Sequence, residues 1–221
     1  MNEQARPADG TVGQPAPGGT FDRSPVAKVL LAVAWLLLVT LAVVGRAWQP
    51  APHVTPLAAV SLAAGALFPS AVVAASVPVA ALAIGNLFLP PYGSLTMAVI
   101  VYAALAWPVV LGRLGLLGQP GHGTRWMNVV AGALASSLVF FFATNVAHWL
   151  LTDMYPRTAG GLLACLVAAL PFHRWMPVGD VAWSLAVFGL LAGMTALANG
   201  FAARRLAPAR AVRRPGPTSA A

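Results

Sequence analysis

The chain has 221 residues, 59% of them hydrophobic and only 8% charged, with a mean hydropathy of +0.78. A soluble domain carries charge on about a quarter of its residues, because its surface must be solvated, so this composition excludes a soluble fold and makes lipid the main solvent. Thirteen cations against five acids give a net charge of +8, but most cations lie in the tails or at the foot of the first apolar run. That is where topology signals belong, and no basic surface interleaved with aromatic rings is present for bases to stack on, which argues against nucleic acid.

Residues 1–24 are rich in Pro, Gly and polar side chains and are expected to form a disordered tail, with too little apolar surface to fold. The first apolar run, Pro25 to Gly45, is about 20 residues long, enough to span a hydrocarbon core of roughly 30 Å. It starts too far from Met1, and is too long, for an ordinary secretory signal. Arg46 and Trp48 after it read as interface anchors, a snorkelling cation and an amphipathic ring. Residues 49–56, QPAPHVTP, are too proline-dense for helix. Apolar runs follow at Val54–Phe68 and Ser70–Leu89, divided by Pro69, and at Ser94–Leu117. The glycine-rich linker Gly118–Thr124 lies between Arg113 and Arg125. Beyond it come Met127–Leu151 and a last run, Asp180–Ala203. The basic stretch 204–221 is expected to be a disordered C-terminal tail.

Between the last two long runs lies a short one, Thr158 to Phe172, of only 15 residues. If it is re-entrant or interfacial, six spans remain and both tails are cytoplasmic. Ten cations (Arg6, Arg23, Lys28, Arg113, Arg125, Arg204, Arg205, Arg210, Arg213 and Arg214) then lie inside and three (Arg46, Arg157 and Arg174) outside. That is the asymmetry the positive-inside rule favours. The fold class expected is therefore all-α integral membrane: a six-transmembrane-helix bundle over residues 25–203, with a short re-entrant or interfacial helix before the last span. The expected location is the inner (plasma) membrane.

The polar residues of this chain concentrate in Asn145–Asp180. Three of the five acids (Glu3, Asp9 and Asp22) are in the N-terminal tail, and the other two, Asp153 and Asp180, fall here. With them come His148, His173, Arg157, Arg174 and the single cysteine, Cys165. Polar groups in apolar surroundings are costly to keep and mark functional sites by default. Asn145, His148, Trp149 and Thr152 are spaced i, i+3, i+4, i+7 and share one helix face. That face either lines a ligand pocket, with Trp149 as a stacking wall, or makes interhelical hydrogen bonds beside a belt tryptophan.

Asp153 and Arg157 flank Pro156, as a clamp for a carboxylate or amine or as an exposed loop pair. Residues 171–180 read as a turn before the last helix. Asp180 there is an N-cap or first-turn carboxylate that can also offer an oxygen to a ligand. His173 and Arg174 are donors or anchors at a membrane edge. Asn86 faces either the pocket or a neighbouring helix.

No metal and no cofactor are expected, because His148, His173, Asp153, Asp180 and Cys165 have no recognised ligand spacing. No G-x-S-x-G or H-E-x-x-H motif points to an enzyme. The absence of a G-x4-G-K-[ST] pattern means any ATP-driven step needs partner subunits. Two stripes of small residues, Ala59/Ala63 and Gly189/Gly193/Ala196/Gly200, allow close helix approach, within the bundle or to a separate partner.

The pattern NxxxWL…MYPRTxxGLLACxVAALPF…GD resembles a group of bacterial integral membrane proteins classed as transport proteins, and these are similar to the substrate-binding S components of energy-coupling-factor (ECF) transporters. The resemblance covers roughly residues 46–200 and is densest over Asn145–Asp180. It implies six helices and an outward-facing site for a vitamin or related small organic solute. It further implies docking onto an ECF-type transmembrane and ATPase module, with Asn145, His148, Trp149 and the 171–180 turn edging the pocket. The first helix lacks the Ala-x3-Ala pattern common in S components, and Asn86 stands where an aspartate is usual.

Overall fold

The computed structural model describes residues 24–211 except 50, 52, 91 and 119–122, with side chains as far as 201; the expected N-terminal tail lies outside the described residues. The described chain is helical: α1 (Pro25–Ala47), α2 (Leu57–Leu67), α3 (Ala71–Gly85), α4 (Leu95–Ala106), α5 (Pro108–Arg113), α6 (Trp126–Leu151), α7 (Ala159–His173) and α8 (Met176–Ala211). Among the described residues, four stretches are long and apolar enough to cross a membrane: Pro25–Ala47, Leu95–Arg113, Trp126–Leu151 and Met176–Phe201. α2, α3 and α7 are shorter, roughly 16–22 Å at 1.5 Å per residue, so the expected six full-length spans are not what the helix lengths show.

Local chemistry sets the ends. Ser24, Ser70, Ser94 and Thr158 cap α1, α3, α4 and α7, each side-chain oxygen accepting from a first-turn backbone N–H. Pro108 lacks an N–H, and its ring clashes with the carbonyl four residues back, which parts α4 from α5 at Trp107. Pro177 acts in the same way against His173, so α7 ends there and α8 starts at Met176.

α2 is the hub. Every residue from Leu57 to Gly65 is buried, so lipid touches none of them and a helix of 11 residues suffices. Ala59 and Ala63 are both fully buried, which assigns that small-residue stripe to packing within the bundle. α2 meets α5 at a glycine–glycine crossing. A Cβ added at Gly112 would overlap the Leu62 carbonyl and lie 2.9 Å from Gly65 Cα and Ala66 N. Ser61 Oγ donates to the Leu105 carbonyl at 2.8 Å, and the Arg113 guanidinium donates to the Phe68 and Pro69 carbonyls at 3.0 Å each. These contacts fix α2 and α4–α5 as parallel.

The other pairings give an alternating bundle. Trp35 donates to Ser76 and Arg46 to the Leu82 carbonyl, so α1 and α3 run the same way. Gly132 faces Leu62 and Leu117 and Asn128 donates to the Leu116 carbonyl at one end, while Phe140 stands in one wall with Val101 and Leu105 further along, which sets α6 antiparallel to α4–α5. α7 descends along α6: Trp149 Nε1 donates to the Pro156 carbonyl, Cys165 Sγ to the Asn145 carbonyl, and His173 Nε2 lies 3.5 Å from Ser137 Oγ.

The chain does not turn back after α7, contrary to the expected re-entrant segment. α8 continues in the same direction, with Gly179 against Val54 and Phe188 fully buried. α7 and α8 are two halves of one broken passage. α8 begins four residues before the expected start at Asp180 and runs past Ala203 to Ala211, into the expected tail. No atom lies within 4 Å of a Cβ added at Gly189, Gly193 or Gly200, so the α8 stripe does not pack within the bundle as described.

Candidate functional site

Apolar helices that alternate in direction leave a concavity with polar groups in its wall, between α6, α7 and the loop before α2. Its volume is about 390 Å³, and its lining includes His53, Phe140, Phe141, Asn145, His148, Tyr155, Cys165, Phe172, His173 and Met176. Small-molecule sites have this character, an apolar and aromatic wall with few polar groups, in the range of roughly 300–1,000 Å³.

The polar groups are positioned by the helix ladder. Asn145 Nδ2 donates to the Phe141 carbonyl at 2.7 Å, which turns its side-chain oxygen outward from that bond. Thr152 Oγ1 donates to the His148 carbonyl at 2.9 Å and closes the end of α6. His173 stacks on Phe141 at 4.6 Å between ring centroids, while its Nε2 faces Ser137. Cys165 is buried on the α7 face that meets α6, with Gly161 one turn before it. Gly161 is required there, since a Cβ would overlap the Pro156 carbonyl. Among the described residues, the rings of His53 and His148 have no hydrogen-bond partner in the protein. They remain available to water or a solute.

Of the eight predicted site residues, the structure brings Asn145, His148 and His173 into this cavity. Trp149, Asp153 and Arg157 form a separate cluster at the α6–α7 turn, where Arg157 donates to the Trp149 carbonyl and lies 5.7 Å from the Trp149 ring centre. Asp153 is 3.7 Å from Arg157 and fully exposed, so this pair is the solvated loop pair rather than a clamp. Arg174 is exposed at the α7–α8 break, 5.6 Å from the Trp175 ring centre.

Asp180 does not cap a helix. It sits inside α8 at 1% exposure, and neither carboxyl oxygen has a hydrogen-bond partner in normal geometry. Ser137 faces it from α6, and Ser184, one turn along α8, is also buried with an unpartnered hydroxyl. Asp180 is not among the residues that line the cavity. Asn86 turns to a neighbouring helix, donating to Tyr102 Oη at 2.9 Å. No cluster of three or more His, Cys, Asp or Glu able to hold a metal occurs among the described residues.

Sequence reasoning missed His53 and Tyr155. His53 adopts a left-handed backbone (φ 64°), and its N–H donates to Gln49 Oε1 at 3.1 Å. Non-glycine residues in this region are uncommon and cluster at constrained sites. A histidine in a proline-rich loop gives no spacing signal; its distance from α6 and α7 in sequence hides the contact.

A model of a family of unknown function, DUF6580, matches residues 27–203. The chain belongs to that family. The matched span of DUF6580 runs from the first turn of α1, at Ala27, to Ala203 in α8, and includes every residue that lines the cavity. No curated protein and no solved structure matches the chain.

Proposed function

We propose that this DUF6580 protein is a six-pass membrane protein that captures a small organic solute, of vitamin or precursor type, in the α6–α7 cavity from the non-cytoplasmic side. The observation that carries the reading is the cavity itself. Asn145, His148, His173 and His53 converge on about 390 Å³ walled by aromatic rings, in a chain of which only 8% is charged. The passages are α1, α2, α3, α4–α5, α6 and α7–α8, which alternate in direction and put both ends of the bundle chain on one side. The basic residues Lys28, Arg113 and Arg125 cluster toward that side, in agreement with a cytoplasmic assignment. Coupling to an ECF-type ATPase module, as in S components, would rest on partner subunits.

A ligand-free assembly protein is the rival reading, favoured by the uncovered glycine stripe of α8. The two part in a thermal-stability screen of purified protein with vitamins and cofactor precursors. A ligand that binds only the folded state stabilises it by about 2.7 kcal/mol at a hundred times its Kd. Solute capture predicts a specific metabolite that raises Tm in the native protein and not in His148→Ala or Asn145→Ala. No stabilising metabolite, with both variants behaving as the native chain, would remove solute capture.

A further inference from the structure

A second concavity of about 320 Å³ adjoins the first, and the two share His53, Phe140 and Met176 in their walls. Arg46, Gln49, Thr55 and Tyr92 complete the polar part of this second chamber. Arg46 does not snorkel away from the bundle, as its place at the end of α1 predicts. Its guanidinium turns inward and donates to the Leu82 carbonyl at 3.3 Å and to Tyr92 Oη at 3.0 Å. Gly85 leaves the space for it, since a Cβ there would come within 2.9 Å of Arg46 Nη1. The loop is tied to the same point: Gln49 Nε2 donates to the Arg46 carbonyl, and Gln49 Oε1 accepts from His53 N–H.

Arg46 is half-buried and has no carboxylate partner among the described residues, and no acid lines either chamber. A guanidinium carries five N–H donors in a rigid fork suited to carboxylate or phosphate, and two neutral acceptors leave its charge and its remaining donors unmatched. A half-buried cation against an apolar bundle calls for an anion.

We propose that Arg46, with Tyr92 beside it, binds the anionic group, carboxylate or phosphate, of a solute whose ring or apolar body lies in the histidine-lined chamber. The substrate class is thus an elongated organic anion. This rests on the solute-capture reading and gives that site its charge preference.

The test uses the full chain in phosphatidylcholine nanodiscs, with benzoate, phenyl phosphate and uncharged benzamide as probes, read by thermal shift. At least one anion should stabilise the protein with apparent affinity about tenfold or more above benzamide. Arg46→Gln should abolish that preference, and Tyr92→Phe should weaken it. Should Arg46→Gln fail to fold, Arg46→Lys keeps the charge without the fork and should cut the preference. Binding of benzoate and phenyl phosphate no tighter than that of benzamide overturns the anion subsite and leaves the cavity reading standing. No shift with any probe overturns the subsite as well. An Arg46-dependent shift on adding phosphatidylglycerol, with none from the soluble anions, assigns Arg46 to lipid and overturns it.

Discussion

The glycine crossing of α2 and α5 makes a prediction of opposite sign to that of the α8 stripe, for the same chemical change. At Gly112 an added methyl would overlap the Leu62 carbonyl and stand 2.9 Å from Ala66 N and Gly65 Cα, where ordinary contact is 3.4–4 Å. The overlap with the Leu62 carbonyl sets the displacement, and the two backbones must part by about 1 Å, along a helix buried from Leu57 to Gly65. Overpacking of this kind costs roughly 1–3 kcal/mol, against a gain of about 0.5–1 kcal/mol from replacing a helical glycine by alanine. Gly112→Ala should lower Tm, by roughly 2–4 °C per kcal/mol for a chain of this size. Gly189→Ala meets nothing within 4 Å, so the propensity gain stands alone and stability rises by about 0.5–1 kcal/mol. Thermal unfolding in detergent, followed by tryptophan fluorescence, separates the two. Equal destabilisation at both positions, or a neutral Gly112→Ala, would refute the close crossing.

Two more outcomes concern the carboxylates. Asp180 is buried and neither oxygen makes a well-formed hydrogen bond, with Ser137 alone facing it from α6, a condition that costs about 1–3 kcal/mol. Asp180→Leu should therefore leave Tm unchanged or raise it, and a large fall would show that the carboxyl has partners. Asp153→Ala should change neither Tm nor solute-dependent stabilisation, because the pair with Arg157 is exposed and lies outside the cavity; loss of solute binding would move the site to the α6–α7 turn.

Much of the fold was legible in hydropathy and proline placement. The 15-residue run before the last helix became α7 with nearly the expected bounds, because Thr158 caps its start and Pro177 stops it from running on into α8. Its direction was not legible. Residue counts and charge asymmetry fit a segment that turns back. The contacts of Cys165 and His173 with α6 show that α7 descends along it, and that of Gly179 with Val54 shows that the chain carries straight on into α8. Asp180 was misplaced for a related reason. Its cap-like position assumed a helix start at the carboxyl, whereas Pro177 tolerates the first turn and lets α8 begin at Met176.

Within the site, Asn145, His148 and His173 were legible as costly polar groups in an apolar run. His53 and Arg46 were not, since each reaches the cavity through a loop conformation or a side-chain direction that no periodicity encodes. The small-residue stripes show the same limit. Ala59/Ala63 and Gly189/Gly193 look alike in sequence, yet one is fully buried and the other uncovered.

Solute capture requires a cavity that opens to the non-cytoplasmic side and admits small molecules. Ala168 lines it and is exposed, and Cys165 is the only cysteine in the chain, so Ala168→Cys in a Cys165→Ser background places a single thiol there. Labelling with a membrane-impermeant maleimide in vesicles of known sidedness reads both properties at once. Solute capture predicts reaction from the non-cytoplasmic face, slowed by any solute that raises Tm. Reaction from the cytoplasmic face alone, or reaction that no stabilising solute slows, would contradict it.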